Sequence, residues 1–204
     1  MKIICIGRNY ARHIDELDNE RPAEPVVFLK PDTALVPKGN PIFLPPFSKE
    51  VHYETELVVR INRLGKGIAP QYAHHYYNEI GLGLDLTARD LQAELKAAGL
   101  PWEKAKAFDF SALVSKDFIP VDELGGTDNI DFSLRINGKT VQQGNSRDML
   151  WRIDELIAYV SQFFTLRTGD LLFTGTPAGV GPLHKDDILE GYIGNRLMFK
   201  TRVK

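Results

Sequence analysis

The stretch VHYETELVV, residues 51–59, decides how this chain is read, because it sets Glu54 and Glu56 inside a run otherwise fit for a buried β-strand. Strand side chains alternate between two faces, so His52, Glu54 and Glu56 share one face, while Tyr53, Thr55 and Leu57 share the other. On a half-exposed strand such an acidic face would be ordinary solvent polarity. A second run argues otherwise: in IGLGLDLT, residues 80–87, Leu82, Leu84 and Leu86 make an apolar face, with Gly83, Asp85 and Thr87 opposite. Glycine removes bulk beside the lone acid, so Asp85 is expected to look into a cavity.

Three carboxylates gathered in a cleft repel one another and are driven toward protonation unless a cation joins them. The all-oxygen donor set of Glu54, Glu56 and Asp85 suits Mg²⁺, Mn²⁺ or Ca²⁺. His52 reads as a packing or hydrogen-bonding neighbour of these acids rather than a ligand.

Further strand-like runs dominate the chain: 2–7, 26–30, 40–45, 56–61, 170–175 and 196–203. Asn137-Gly138, between FSLRI and KTVQQ, predicts a two-residue hairpin, since both residues tolerate positive φ. One helix is expected after Thr87, where Thr87 and Asp90 form a T-x-x-D cap, Leu91 and Leu95 share a face, and Gly99 supplies the stop. Another is expected over 146–164, from the spacing of Met149, Ile153, Leu156, Ile157, Val160 and Phe163. No repeat or linker divides the chain, which reads as a single domain over residues 1–204.

With 43% hydrophobic and 25% charged residues, the composition is that of a globular protein. The 25 basic and 27 acidic residues nearly cancel and form no basic run, which argues against nucleic acid and for a small-molecule ligand. Cys5 is the only cysteine, excluding an intramolecular disulfide and a cysteine-based zinc cluster. The apolar run near the N-terminus is too short for a signal peptide and no segment is long enough to span a membrane, so a cytoplasmic, non-membrane protein is expected. TGTPAGVG, residues 174–181, lacks the G-K-[ST] ending of a nucleotide-phosphate loop. His74 and His75 are adjacent and diverge on a helix, so they are not a metal pair.

In order along the chain come GRNY at 7–10 with His13 and Glu16, VFLKP at 27–31, HYETEL at 52–57, DLTARDLQ at 85–92, AKAFD at 105–109, INGKTVQ at 136–142 and TGTPAGVG at 174–181. Together they resemble the fumarylacetoacetate hydrolase family, in the form of its short members built from the catalytic domain alone. The resemblance implies an α+β, mainly β fold: a mixed β-sandwich roll with a few short helices, usually a homodimer. It implies Mg²⁺ or Mn²⁺ on Glu54, Glu56 and Asp85, a substrate-facing Lys106, and a His13/Glu16 pair on a segment ordered over the site. Arg89 and Gln92 fall within DLTARDLQ and Thr176 within TGTP. The family commonly has glycine after the lysine, where this chain has Ala107.

Such a site suits a small 2-oxo acid, and its anionic charge needs positive partners, for which Lys106, Lys30 and Arg8 are the candidates. His13 and Glu16, three residues apart, are neighbours if their segment is helical; Glu16 then orients an imidazole that takes a proton from water. The first expectation is Mg²⁺-dependent hydrolysis of an acylpyruvate to pyruvate and a carboxylate, with oxaloacetate decarboxylation beside it. The alternatives are an isomerase, tautomerase or decarboxylase of a keto-enol dicarboxylate, of the 2-hydroxyhepta-2,4-diene-1,7-dioate isomerase type, and a non-catalytic metal or 2-oxo acid binding protein.

Overall fold

The computed structural model describes residues 1–16 and 20–204. From the N-terminus, β1 (Ile3–Gly7) leads into α1 (Ala11–Glu16), followed by β2 (Val26–Lys30). β3 (Val51–Tyr53) and β4 (Thr55–Ile61) flank Glu54, and β5 (Tyr77–Asp85) and β6 (Thr87–Ala88) flank Leu86. Two helices come next, α2 (Arg89–Ala97) and α3 (Glu103–Lys106), then β7 (Ala112–Val114) and β8 (Ile119–Pro120). β9 (Asp131–Ile136) and β10 (Lys139–Asn145) form a hairpin before α4 (Ile153–Phe163). β11 (Leu171–Phe173), β12 (Gly181–Pro182), β13 (Ile188–Ile193) and β14 (Arg196–Arg202) complete the chain.

The largest sheet runs β2-β1-β11-β4-β5-β7, with β8 also paired to β5. It is mixed: β1 and β11 are parallel, pairing Ile3 with Leu171 and Cys5 with Phe173, whereas β4 lies antiparallel to both β11 and β5. A second sheet, β10-β9-β13-β14, and a small one, β12-β3-β6, complete a mainly β architecture with few helices.

Strand alternation sorts the large sheet's side chains into two layers. Leu57, Val59, Leu82 and Leu84 join the main core with Phe132, Leu134 and Leu189 of the second sheet and Leu156, Ile157 and Val160 of α4. Each such side chain, fully buried, is worth about 1.5–3 kcal/mol. On the opposite face Ile3, Cys5, Val58, Ala112 and Phe173 form a smaller apolar layer. Glu56 and Val58 alternate onto that second face, so the acids emerge at the margin of an apolar floor. Among the described residues no helix is long and apolar enough to cross a membrane.

Asn137 and Gly138 form the expected turn, with φ of 52° and 80°, and Ile136 pairs with Lys139 across it. Three local expectations are corrected. NPIFLP gives no strand: Ile42 alone bridges to Val203, because Pro41, Pro45 and Pro46 remove the donors a ladder needs. Thr87 does not cap α2; it pairs with His52 in β6, and Asp90 instead accepts from Ser48 Oγ and Lys49 N at 2.7 and 2.8 Å. Leu91 and Leu95 are only half-buried and the helix buries Gln92, although Gly99, at φ 62°, does end it. The second helix is shorter than its apolar spacing suggests. Asn9 takes up the preceding segment, accepting from Leu150 N through its backbone carbonyl and from Trp151 N through its side chain. Helix α4 therefore begins at Ile153, with Glu155 accepting from Arg152 N at 2.7 Å. Phe163 at its end is 57% exposed rather than core.

Candidate active site

The acids are brought together by strand register. Thr55 pairs with Leu84 and Glu56 with Gly83, while Glu54 carbonyl accepts from Asp85 N at 2.8 Å. Glu54, Glu56 and Asp85 thereby each place one carboxylate oxygen within 4.8 Å of the others, and none is more than 5% exposed.

Three cations meet them. Lys106, the last residue of α3, donates to Glu54 Oε2 at 2.7 Å and to Asp85 Oδ2 at 2.9 Å, and its ammonium lies 5.3 Å from the Phe28 ring centroid. Arg89, opening α2, donates to Glu54 Oε1 and to Gln92 Oε1, each at 2.5 Å, and to His52 Nδ1 at 3.4 Å. Lys30 approaches Asp85 from behind, with its Nζ 2.7 Å from Oδ1.

The charges follow from this packing. For Glu54 burial favours the neutral acid, but Lys106 and then Arg89 outweigh it and hold the carboxyl well below the usual carboxylate range. Burial, then Asp85 and Glu54, push the Glu56 carboxyl well up. Burial disfavours the Lys106 ammonium, yet Asp85 and Glu54 more than compensate, raising its pKa.

The donor set fits a hard divalent cation. Asp85 Oδ1 is buried, and no donor reaches it at hydrogen-bonding angles despite the nearby Lys30. Glu56 Oε2 accepts from Gly175 N at 2.7 Å, and the repulsion it meets from Asp85 and Glu54 is what a divalent cation would relieve. All three residues offer oxygens, the ligand type that Mg²⁺ and Mn²⁺ take.

A cleft opens beside the acids, lined also by Arg8, His13, Arg89, Gln92, Lys106 and Thr176. His13 is buried on α1, and its Nδ1 is 3.1 Å from Glu16 Oε2. Glu16 Oε1 accepts from Gly179 N at 2.9 Å, fastening α1 across the loop that follows TGTP. Arg8 has a left-handed backbone at φ 59°, a conformation that costs a non-glycine residue of order 1–3 kcal/mol. Asn9 next to it holds the segment in place, donating to Trp151 carbonyl at 3.1 Å and Thr174 carbonyl at 2.8 Å.

One expected substrate contact is placed differently. Lys30 does not line the cleft: its side chain is fully buried and donates to Ser111 carbonyl and Oγ, and to Lys106 carbonyl. Thr176 does line it, but its hydroxyl donates to Thr55 carbonyl at 3.0 Å and accepts from Gln142 Nε2 at 2.8 Å. His52 stays outside the acid cluster, paired with Glu50 at 2.8 Å, and His74 and His75 are exposed, their rings 3.9 Å apart.

The sequence reading passed over Gln142, buried and bonded to Thr55 N at 3.0 Å as well as to the TGTP loop. It also passed over Lys96, which lines the cleft. Lys96 was detectable by spacing, four residues beyond Gln92 and seven beyond Arg89 on one helical face.

A buried carboxylate triad, cations and a histidine thus meet at one cleft on a mixed β-sheet. Residues 2–202 match the model of the fumarylacetoacetate (FAA) hydrolase C-terminal family, and the chain belongs to that family. It is 47% identical over 189 residues to oxaloacetate tautomerase YcgM of Escherichia coli K12, covering 92% of this chain and 86% of the relative. To the mitochondrial oxaloacetate tautomerase FAHD1 of Bos taurus it is 40% identical over 202 residues, 99% of this chain and 91% of that protein. The crystal structure of fumarylpyruvate hydrolase from Pseudomonas aeruginosa, in complex with Mn²⁺ and pyruvate, superposes with a TM-score of 0.91 at 35% identity, covering 100% of this chain and 89% of that one. These relatives are named enzymes, and the chain is a hydrolase, decarboxylase or isomerase of their kind.

Proposed function

We propose that this protein interconverts the keto and enol forms of oxaloacetate or a close 2-oxo dicarboxylate, with Mg²⁺ or Mn²⁺ held by Glu54, Glu56 and Asp85. The observation that carries the reading is the buried His13 lining the acid cleft with its Nδ1 against Glu16. The sequence similarity to two oxaloacetate tautomerases supports the choice of substrate.

A divalent cation on the three acids would polarise the carboxylate and 2-oxo oxygens of such a substrate, making a C3 proton easier to remove. His13 takes that proton from C3 and gives it up to the C2 oxygen, which returns the imidazole to its neutral form; the C3–H bond breaks, an O–H bond forms, and nothing is oxidised or consumed. Glu16 fixes the imidazole by accepting from Nδ1–H, leaving Nε2 for the transfer. Lys106 and Arg89 offset the negative charge of the acids and the anion. The tie between Glu16 and Gly179 holds α1, and with it His13, against the loop.

Hydrolysis of an acylpyruvate, the first expectation from the sequence, becomes the second reading, supported by the likeness to fumarylpyruvate hydrolase. It needs a water delivered to C4, for which His13 is the candidate base. The proposal also includes a homodimer in the cytoplasm, to be examined by light scattering and by localisation of the tagged protein.

The deciding experiment follows purified protein with enol-oxaloacetate and with acetylpyruvate, each with and without Mn²⁺. Mn²⁺-dependent acceleration of ketonisation, lost in His13→Ala, is expected. Hydrolysis of acetylpyruvate without any effect on ketonisation would overturn the tautomerase assignment in favour of the second reading.

A further inference from the structure

Around the site three acids meet three cations: Glu54, Glu56 and Asp85 against Lys106 and Arg89 at the cleft and Lys30 buried behind Asp85. A divalent cation on the acids leaves the centre positive by two charges. Arg8 and Lys96 then line the same cleft and add two more.

These two residues come from different elements. Arg8 follows the last residue of β1, and Lys96 lies in the last turn of α2. Arg89, Gln92 and Lys96 fall at helical spacing, so α2 presents one polar row that begins at the acids and runs about 10 Å along its axis. Lys96 is close enough to the other two for their charges to register: burial first, then Arg8 and Arg89, lower its pKa. The apolar part of the cleft wall is supplied by Phe28 and Trp102, packed edge to face with centroids 6.2 Å apart. The left-handed Arg8 backbone is held by the buried Asn9 beside it. Strained backbone maintained by its neighbours is a recurrent way of presenting a ligand-facing residue.

We propose that Arg8 and Lys96 form a subsite for the distal carboxylate of a 2-oxo dicarboxylate, and that this subsite makes the cleft selective for dianionic over monoanionic 2-oxo acids. The inference rests on the 2-oxo acid reading above and deepens it. The carboxylate and 2-oxo end lies at the acids, and the second carboxylate lies toward the end of α2. Arg8 and Lys96 provide charged, hydrogen-bonding partners for the second carboxylate, a group that pyruvate lacks.

The test is calorimetric titration of the Mn²⁺-loaded protein with pyruvate and with 3,3-difluorooxaloacetate, a dicarboxylate that has no C3 proton to move. The wild type is expected to bind the dicarboxylate at least about tenfold more tightly. Lys96→Gln should reduce that preference by roughly tenfold with pyruvate affinity within about twofold, Arg8→Gln should act in the same direction, and Lys96→Arg should restore the preference. Lys96 is exposed, so its substitution spares the core. An unchanged preference, or equal weakening of both ligands, overturns the subsite while leaving the 2-oxo acid reading intact. Failure of both ligands to bind the wild type in an Mn²⁺-dependent way overturns the two together.

Discussion

Glu16 accepts a hydrogen bond from Gly179 N–H at 2.9 Å, so the short helix carrying His13 is fastened to the loop after TGTP. The other carboxylate oxygen sits 3.1 Å from His13 Nδ1. One side chain thus ties α1 to the loop and aims the imidazole. Glu16→Gln keeps an acceptor for Gly179 but loses the negative charge beside the ring, so kcat should fall by about 100-fold with little change in KM. Glu16→Ala loses the tie as well and should also raise KM. Steady-state ketonisation rates separate the two. Wild-type kinetics in Glu16→Ala would remove the pair from the mechanism.

Glu54→Gln and Glu56→Gln each take a charge from the cluster of acids. Mn²⁺ affinity, read by electron paramagnetic resonance of the free ion, should weaken by at least the 10–100-fold that losing even a supporting partner costs a metal site. Affinity equal to wild type in both variants would place the ion elsewhere.

Lys30 makes a different prediction because it is a buried partner and not a cleft residue. Lys30→Met leaves Asp85 Oδ1 without its 2.7 Å cation. Breaking a buried pair from one side costs about 3–5 kcal/mol, which for a chain of this size lowers Tm by roughly 6–20 °C. Differential scanning calorimetry of the metal-free protein checks this. A shift below about 2 °C would mean that Asp85 finds another partner.

Acid stability should depend on Asp170. Burial opposes its ionisation, but the Lys2 ammonium at 2.5 Å and the backbone N–H groups of Lys2 and Arg167 outweigh that and lower its pKa. A carboxylate depressed in the folded state stabilises the protein above its unfolded pKa, about 3.9, and loses that contribution as pH falls through the folded value. Urea unfolding between pH 7 and pH 2 should therefore show a shallower acid-side decline in Asp170→Asn, together with lower stability at pH 7. An identical slope in both proteins would contradict the assignment.

The acids were legible because they obey a local rule. Period-two alternation fixed the faces of Glu56 and Asp85 before any pairing was known, and the register across β4 and β5 then brought them together. Gly83 serves strand packing. A Cβ there would meet Leu113 carbonyl and Phe173 Cε1 at 2.7 Å, so the glycine permits close strand packing rather than leaving room for a ligand. Lys30 was misplaced because its charge suggested an anion in the cleft, whereas β2 delivers the side chain to the protein interior. Gln142 escaped notice because its partners lie 87 and 34 residues away, beyond the reach of any local pattern. The second helix was overextended because apolar spacing does not reveal that Asn9, more than 140 residues earlier, engages the N–H groups ahead of it.

The parallel pairing of β1 with β11 has a consequence for how the chain is made. Leu171–Phe173 stands between β1 and β4, so the strand bearing Glu56 lacks one neighbour until residues 171–173 of the 204 are available. Such long-range closure is slow and leaves sheet edges uncovered meanwhile. A nascent chain stalled on the ribosome before residue 171 would expose the β1 and β4 edges, and chaperones that shield unpaired strands would be engaged then.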